Sequence, residues 1–164
     1  MLCPLVLAMV GMPEAGCNLL IPLALTDPPT RKVPAEYARL QGRRVLVLVW
    51  AKPATLAVFP FARYDTANHV CSKLRAMVPG VKVISASRVE EHLEQSAEMQ
   101  VDPAGVGRYF DAEAVVFLEL LTYQTRDSRT PQLLQGRITA SVVVYDLTDA
   151  DAPQRFELST ASVT

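Results

Sequence analysis

The chain has 164 residues, half of them hydrophobic and a fifth charged, with a formal net charge of −1. That length suits one domain with a real core, since a chain of about this size buries roughly 68–70% of its unfolded surface. The near-neutral balance argues against a nucleic-acid binder, which usually shows a concentrated basic face, and beyond the N-terminus no apolar run approaches the ~20 residues of a membrane-crossing helix.

Residues 1–16 form a signal-like segment with an apolar stretch from Leu5 to Met12. It runs into Glu14-Ala15-Gly16-Cys17, which resembles a bacterial lipobox with Cys17 as the lipidated residue. Glu14 stands where an apolar residue is usual, and no Lys or Arg precedes Arg31. The alternative readings are an apolar N-terminal strand or buried tail, or an uncleaved anchor. Pro22, Pro28, Pro29 and Pro34 then block helix and central strand, so residues 17–40 read as a lipidated N-terminus and tether. Twenty extended residues reach up to ~70 Å, enough to hold a domain clear of a bilayer. The folded domain is expected over residues 41–164. Of the three cysteines, Cys3 would be lost on processing and Cys17 acylated, leaving Cys71 as a lone buried thiol.

Arg44 to Trp50 is rich in β-branched residues and apolar on both alternating faces, which predicts an interior strand. Ala51 to Phe61 reads as a loop carrying Phe59-Pro60-Phe61. Ala67, Val70, Cys71, Leu74, Met77 and Val78 then fall on one face of a helix starting near Asp65 and stopped by Pro79-Gly80. Val81 to Ser85 is a short strand, giving a parallel β-α-β unit. Ser87-Arg88-Val89-Glu90 has the form of a capping box, with Val89, Leu93 and Ala97 as the apolar side of its helix. Asp102-Pro103 opens another short helix, from which Val106, Tyr109 and Phe110 are expected to pack beneath the next strand.

That strand, Ala112 to Leu121, is apolar on both faces and is therefore the expected sheet centre, Val115 and Phe117 on one side and Val116, Leu118 and Leu120 on the other. Glu119 reads as a partly exposed carboxylate near its end. Polar Tyr123 to Leu134 reads as a connection, Arg137 to Asp146 as an alternating antiparallel partner, and Gln154 to Thr160 as a last antiparallel strand. The chain stops without a closing helix, as a C-terminally truncated product would. The expected fold is α/β, a mixed five-stranded sheet in the order 2-1-3-4-5. The first three strands are parallel, the last two antiparallel, and helices pack on the faces.

Chemistry-bearing patterns are sparse. The turn after the first strand, Ala51-Lys52-Pro53-Ala54-Thr55, lacks the glycines of a phosphate cradle, and Gly105-Val106-Gly107 sits inside a helix as a packing feature. His69 and Cys71 point apart on their helix, and His92 beside Glu90 and Glu91 reads as part of a solvated face. Asp146, Asp149 and Asp151 cluster in a turn; a weak calcium site is one reading, and side chains bonding their own backbone is the other. Ser85, Ser87 and Ser141 show no nucleophile-elbow pattern with His69 or His92. No catalytic, cofactor or metal residue is assigned. Phe59 and Phe61 are candidates for either a hydrophobic lid or an exposed partner contact.

Arg44-Val45-Leu46-Val47-Leu48, Val83-Ile84-Ser85 leading to Val89, Gly107 to Leu118, and Gly136 to Asp146 follow a pattern that resembles bacterial envelope lipoproteins. The group comprises the curli-secretion lipoproteins, penicillin-binding-protein activator lipoproteins and the TolB amino-terminal domain. Lys32 to Leu158 is more narrowly similar to planctomycete-type lipoproteins. The resemblance implies a non-enzymatic, protein-binding domain anchored in the cell envelope and facing the periplasm. Membrane contact would run through the lipid, and no nucleic acid or cofactor would be involved. Independently of the resemblance, an exposed final strand near Gln154 to Thr160 would be an edge open to self-association. No segment is identified as one of the long membrane hairpins of the secretion-channel members. The rival expectation is a small flavodoxin-like or hydrolase-like enzyme with a pocket near Trp50, Ser85 and Glu119, and a third is a purely structural scaffold.

Overall fold

A computed structural model describes residues 35–96, 101–126, 134–149 and 152–163. Cys17 and the signal-like segment lie outside the described residues, as does Asp151. In chain order the elements are β1 (Arg44–Ala51), α1 (Pro53–Val58), α2 (Ala62–Met77), β2 (Lys82–Val83) and α3 (Ala86–Gln95). There follow α4 (Pro103–Tyr109), β3 (Ala114–Arg126), β4 (Leu134–Asp146) and β5 (Gln154–Val163). They build one sheet in the order β2-β1-β3-β4-β5. β1 pairs parallel with β2 and β3, whereas β4 and β5 add antiparallel. This is the expected topology.

Alternation along the strands sets two cores. Val45, Val47, Val49, Val116, Leu118, Leu120, Ala140 and Val144 face α2, which presents Ala62, Ala67 and Cys71. Leu46, Leu48 and Val115 face the other way, against Ile84, Val89 of α3, Phe110 and Ala112. Burying each Val or Leu contributes about 1.5–3 kcal/mol, so the doubly apolar β1 and β3 carry much of the domain's stability. Gly107 lets α4 lie directly on the sheet: a Cβ there would stand 2.5 Å from both Val115 Cγ2 and Leu147 Cδ1. Past the C-terminus of α2, Gly80 and Gly42 both adopt positive φ, and Gly42 N–H donates to Pro79 C=O at 3.2 Å.

Several local expectations are corrected. Ala51 to Phe61 is not all loop, because Pro53 starts the short helix α1, its missing N–H costing nothing at that position. α2 begins at Ala62, three residues before Asp65. Ser85, not Ser87, occupies the N-cap of α3, and its hydroxyl pairs with that of Ser87 at 2.8 Å instead of capping the backbone. Tyr109 is 67% exposed, so of the three residues expected beneath β3 only Phe110 is fully buried. Residues 123–126 continue β3, and β4 starts at Leu134. β1 ends opposite Leu120, so this extension pairs with β4 alone. A bulge between Leu120 and Thr122 shifts the register by one residue, so that Tyr123 and Ile138 rejoin the face of Leu120 and Ala140.

The domain also begins earlier than residue 41. The compact unit runs from Ala35, and Tyr37 and Leu40 pack against the core of the α2 face. Tyr37 stacks on Phe156 of β5 with ring centroids 5.1 Å apart, and the Arg39 guanidinium lies 5.9 Å from the same ring.

Candidate functional site

The Phe59-Pro60-Phe61 segment joins α1 to α2, and its two aromatics part company. Phe59 turns inward to stack on Tyr123, centroids 5.0 Å apart, closing the core above the end of β1. Phe61 holds the N-cap position of α2 and remains 70% exposed, and Val58 nearby is 68% exposed. The lid and the exposed aromatic are therefore different residues. Phe59 packs against the core, whereas Phe61 and Val58, three residues apart, leave an exposed apolar knuckle at the α1–α2 junction.

Asp146, at the end of β4, is the buried carboxylate of the described residues. Its Oδ2 accepts from Tyr37 Oη at 2.8 Å and from Arg43 Nη1 at 2.9 Å. Its Oδ1 accepts from Thr148 N at 3.2 Å and from the Thr148 hydroxyl. Burial works to raise its pKa, but the bonds from Thr148, Arg43 and Tyr37 outweigh it and hold the carboxyl well below the usual range. Burial, followed by the bond to Asp146, pushes the Tyr37 hydroxyl up to about 12. The bond to Asp146 raises the Arg43 guanidinium despite burial. These donors tie the approach to β1 to the end of β4, and they occupy both oxygens of Asp146, one of the three carboxylates in the calcium reading. Asp149 lines a small cavity of about 90 Å³ beside them. No group of three or more metal-ligating side chains converges among the described residues.

A larger cavity, about 440 Å³, lies against α3 and α4, with Arg63, His92, Ser96, Asp102 and Tyr109 among its lining residues. His92 stacks flat on Tyr109, centroids 4.1 Å apart, and meets Phe110 edge-on at 5.4 Å. It is half-buried in an aromatic cluster and does not belong to a solvated face. Arg63 donates through both Nε and Nη2 to Glu90 Oε1, pinning the start of α2 to α3. Ser96 Oγ donates to the His92 carbonyl, 2.8 Å away. Asp102 caps α4 by accepting from Ala104 N at 3.0 Å, as its sequence predicts. Neither Trp50, Ser85 nor Glu119 lines this cavity. Trp50 and Glu119 are instead register neighbours in β1 and β3, with Ser141 opposite Glu119 in β4.

Cys71 is buried to 1% exposure between α2 and the sheet, its thiol 3.7 Å from the Ile84 carbonyl. Burial pushes its pKa up, so the thiol stays protonated and unreactive. Sequence reasoning missed Val58, whose exposure depends on α1 forming at all. It also missed the bonds between Glu36 and Ser159, because they join residues 123 positions apart.

No protein-family model matches the chain, and no curated protein matches it in sequence. Among solved structures it is similar to lipoprotein GNA1162 from Neisseria meningitidis, with 18% identity over 74% of this chain and 78% of that one and a TM-score of 0.45. It is also similar to the hypothetical protein CT253 from Chlamydia trachomatis, with 16% identity over 73% of this chain and 69% of that one and a TM-score of 0.39. At these values neither says what this chain does. No helix among the described residues is long and apolar enough to cross a membrane.

Proposed function

We propose that the protein is a non-enzymatic, lipid-anchored domain of the bacterial cell envelope. It is held at Cys17, faces the periplasm, and binds another protein through the knuckle at the α1–α2 junction. The observation that carries the binding role is the division of labour between Phe59 and Phe61: one aromatic closes the core, and the other stays 70% exposed beside exposed Val58. Aromatic side chains, Phe among them, are enriched in the cores of protein interfaces relative to the rest of the surface. The anchor rests on Glu14-Ala15-Gly16-Cys17. Several acyl chains at such a cysteine hold stably, where a single one binds at only about 10⁴ M⁻¹.

Two measurements test this reading. Fatty-acid labelling of the wild type that disappears in Cys17→Ala supports the anchor; label on neither sinks it. A photo-crosslinking residue at Phe61 should give a discrete protein adduct in cells, lost when Val58→Asp is added. A control at exposed Ser72 on α2 should give none. Equal adducts at both positions, or a stoichiometric nucleotide or flavin in the purified protein, would overturn the binding reading.

A further inference from the structure

β5 is the outer strand of the sheet and pairs on one side only, with β4. The ladder alternates from β1 outward: Val45 directs its carbonyl to Ile84 N–H, away from β3. Carried across the sheet as far as the bulge that follows Leu158, that alternation points Gln154, Phe156 and Leu158 toward β4 and Arg155 and Glu157 away from it, and at the bulge the Ser159 N–H also turns away from β4, to Glu36. The outward Ser159 N–H is already occupied. It donates to Glu36 Oε2 at 2.8 Å, and Ser159 Oγ donates to Glu36 Oε1 at 2.6 Å. A carboxylate on an edge N–H sits where a neighbouring strand's carbonyl would have to come.

The remainder of the same segment is fastened beside it, Tyr37 on Phe156 and Asp146, Arg39 over Phe156, and Arg43 on Asp146. Beyond Glu36 the edge carries a charge pattern that suits one neighbour in particular. Arg155 and Glu157 are exposed and pair with each other at 2.7 Å. In an antiparallel pairing of two β5 strands about a two-fold axis at Phe156, Arg155 of each copy lies opposite Glu157 of the other. Both are outward residues, so they exchange backbone bonds as well as charge. In that register Ser159 meets Pro153 of the second copy, which has a carbonyl to offer and no N–H. The Ser159 N–H that would complete the ladder is the one held by Glu36.

We propose that Glu36–Arg43 is a strap guarding the β5 edge, and that release of the Glu36–Ser159 contact lets β5 pair antiparallel with β5 of a second copy about Phe156. Covering an edge is a common defence against uncontrolled pairing; here the covered edge is self-complementary, so opening it gives a closed dimer and not an open-ended array.

The test uses the full chain carrying Cys17→Ala, so that lipid does not drive association, and reads mass by sedimentation. The parent is expected to be a monomer. Glu36→Ala should shift it to a dimer, adding Arg155→Glu should return it to a monomer, and adding Glu157→Arg to that variant should restore the dimer. Circular dichroism checks the fold of each variant. If Glu36→Ala unfolds the domain, Ser159→Ala, which removes one leg of the contact, is read instead and should shift mass in the same direction. A guard-free variant that stays monomeric overturns the proposal. So does a parent that is already dimeric, a dimer indifferent to charge reversal, or growth into large aggregates.

Discussion

Asp146 is buried to 4% exposure, yet it accepts from Tyr37, Arg43 and Thr148, three residues that enter from two separate parts of the chain. An asparagine there leaves Arg43 without its counter-ion and replaces one accepting oxygen with an NH2 group that faces donors. Because Arg43 keeps some access to water, the loss falls below that for a fully buried pair, and Asp146→Asn should cost about 2–3 kcal/mol at pH 7. The folded-state pKa is depressed, so this stabilisation is complete above the ordinary carboxylate value of about 3.9 and is lost as pH falls through the folded value. Urea unfolding of wild type and Asp146→Asn should therefore differ at pH 7 and converge progressively below about pH 4. A gap that is constant with pH would mean that the carboxylate's charge is irrelevant to its role. Gly107 is the steric counterpart. Gly107→Ala must push α4 off Val115 and Leu147 and should cost about 1–3 kcal/mol, read as a lower urea midpoint.

At the level of elements, the strands and the sheet order were legible because hydrophobic alternation decides them before any tertiary contact forms. β1 and β3 are apolar on both faces and can only be interior, and β4 alternates as a strand near an edge must. What was not legible depended on neighbours. Residues 123–126 are polar, but they stay in β3 because β4 pairs with them and Phe59 covers Tyr123. Ser87 has the spacing of a capping box, yet the N-cap falls two residues earlier, at Ser85, and Ala86 at the helix start is drawn into the core at 5% exposure. The strap was hidden for the same reason: four prolines mark a tether, and nothing local to Glu36 or Tyr37 announces Ser159 or Asp146.

α4 ends in a motif that the sequence also did not signal. Ala112 N–H bonds to Gly107 C=O and Asp111 N–H to Arg108 C=O, with Asp111 at φ 51° where glycine is usual. An L-residue there costs about 1 kcal/mol, partly offset by the greater unfolded-state freedom of glycine. Asp111→Gly should accordingly stabilise the domain by up to about 1 kcal/mol, visible as a Tm increase of roughly 2–4 °C. A lower Tm would mean that the Asp111 side chain contributes more than its backbone costs.

On the scale of the whole molecule, Cys71 reports how the layers come apart. It lies on α2 among the residues of the α2-face core, and its thiol reaches the Ile84 carbonyl just beyond β2. A reagent can touch it only if α2 lifts from β1 and β2. α2 is fastened at its start by the Arg63–Glu90 pair and along its length by Ala62, Ala67 and Cys71, so no part of it can lift without exposing the core. The opening that admits a reagent should then be global unfolding. In the full chain carrying Cys3→Ala and Cys17→Ala, thiol labelling of Cys71 should be negligible in native buffer, and its urea dependence should overlay the loss of circular dichroism. Arg63→Ala separates the pair from the packing. If the pair is a local latch, labelling should accelerate while the urea midpoint hardly moves. If α2 and the sheet unfold as one unit, labelling and midpoint should shift together. The second outcome is expected, with both shifts small and matched, because the pair is partly exposed and worth little beside the aliphatic contacts beneath the helix.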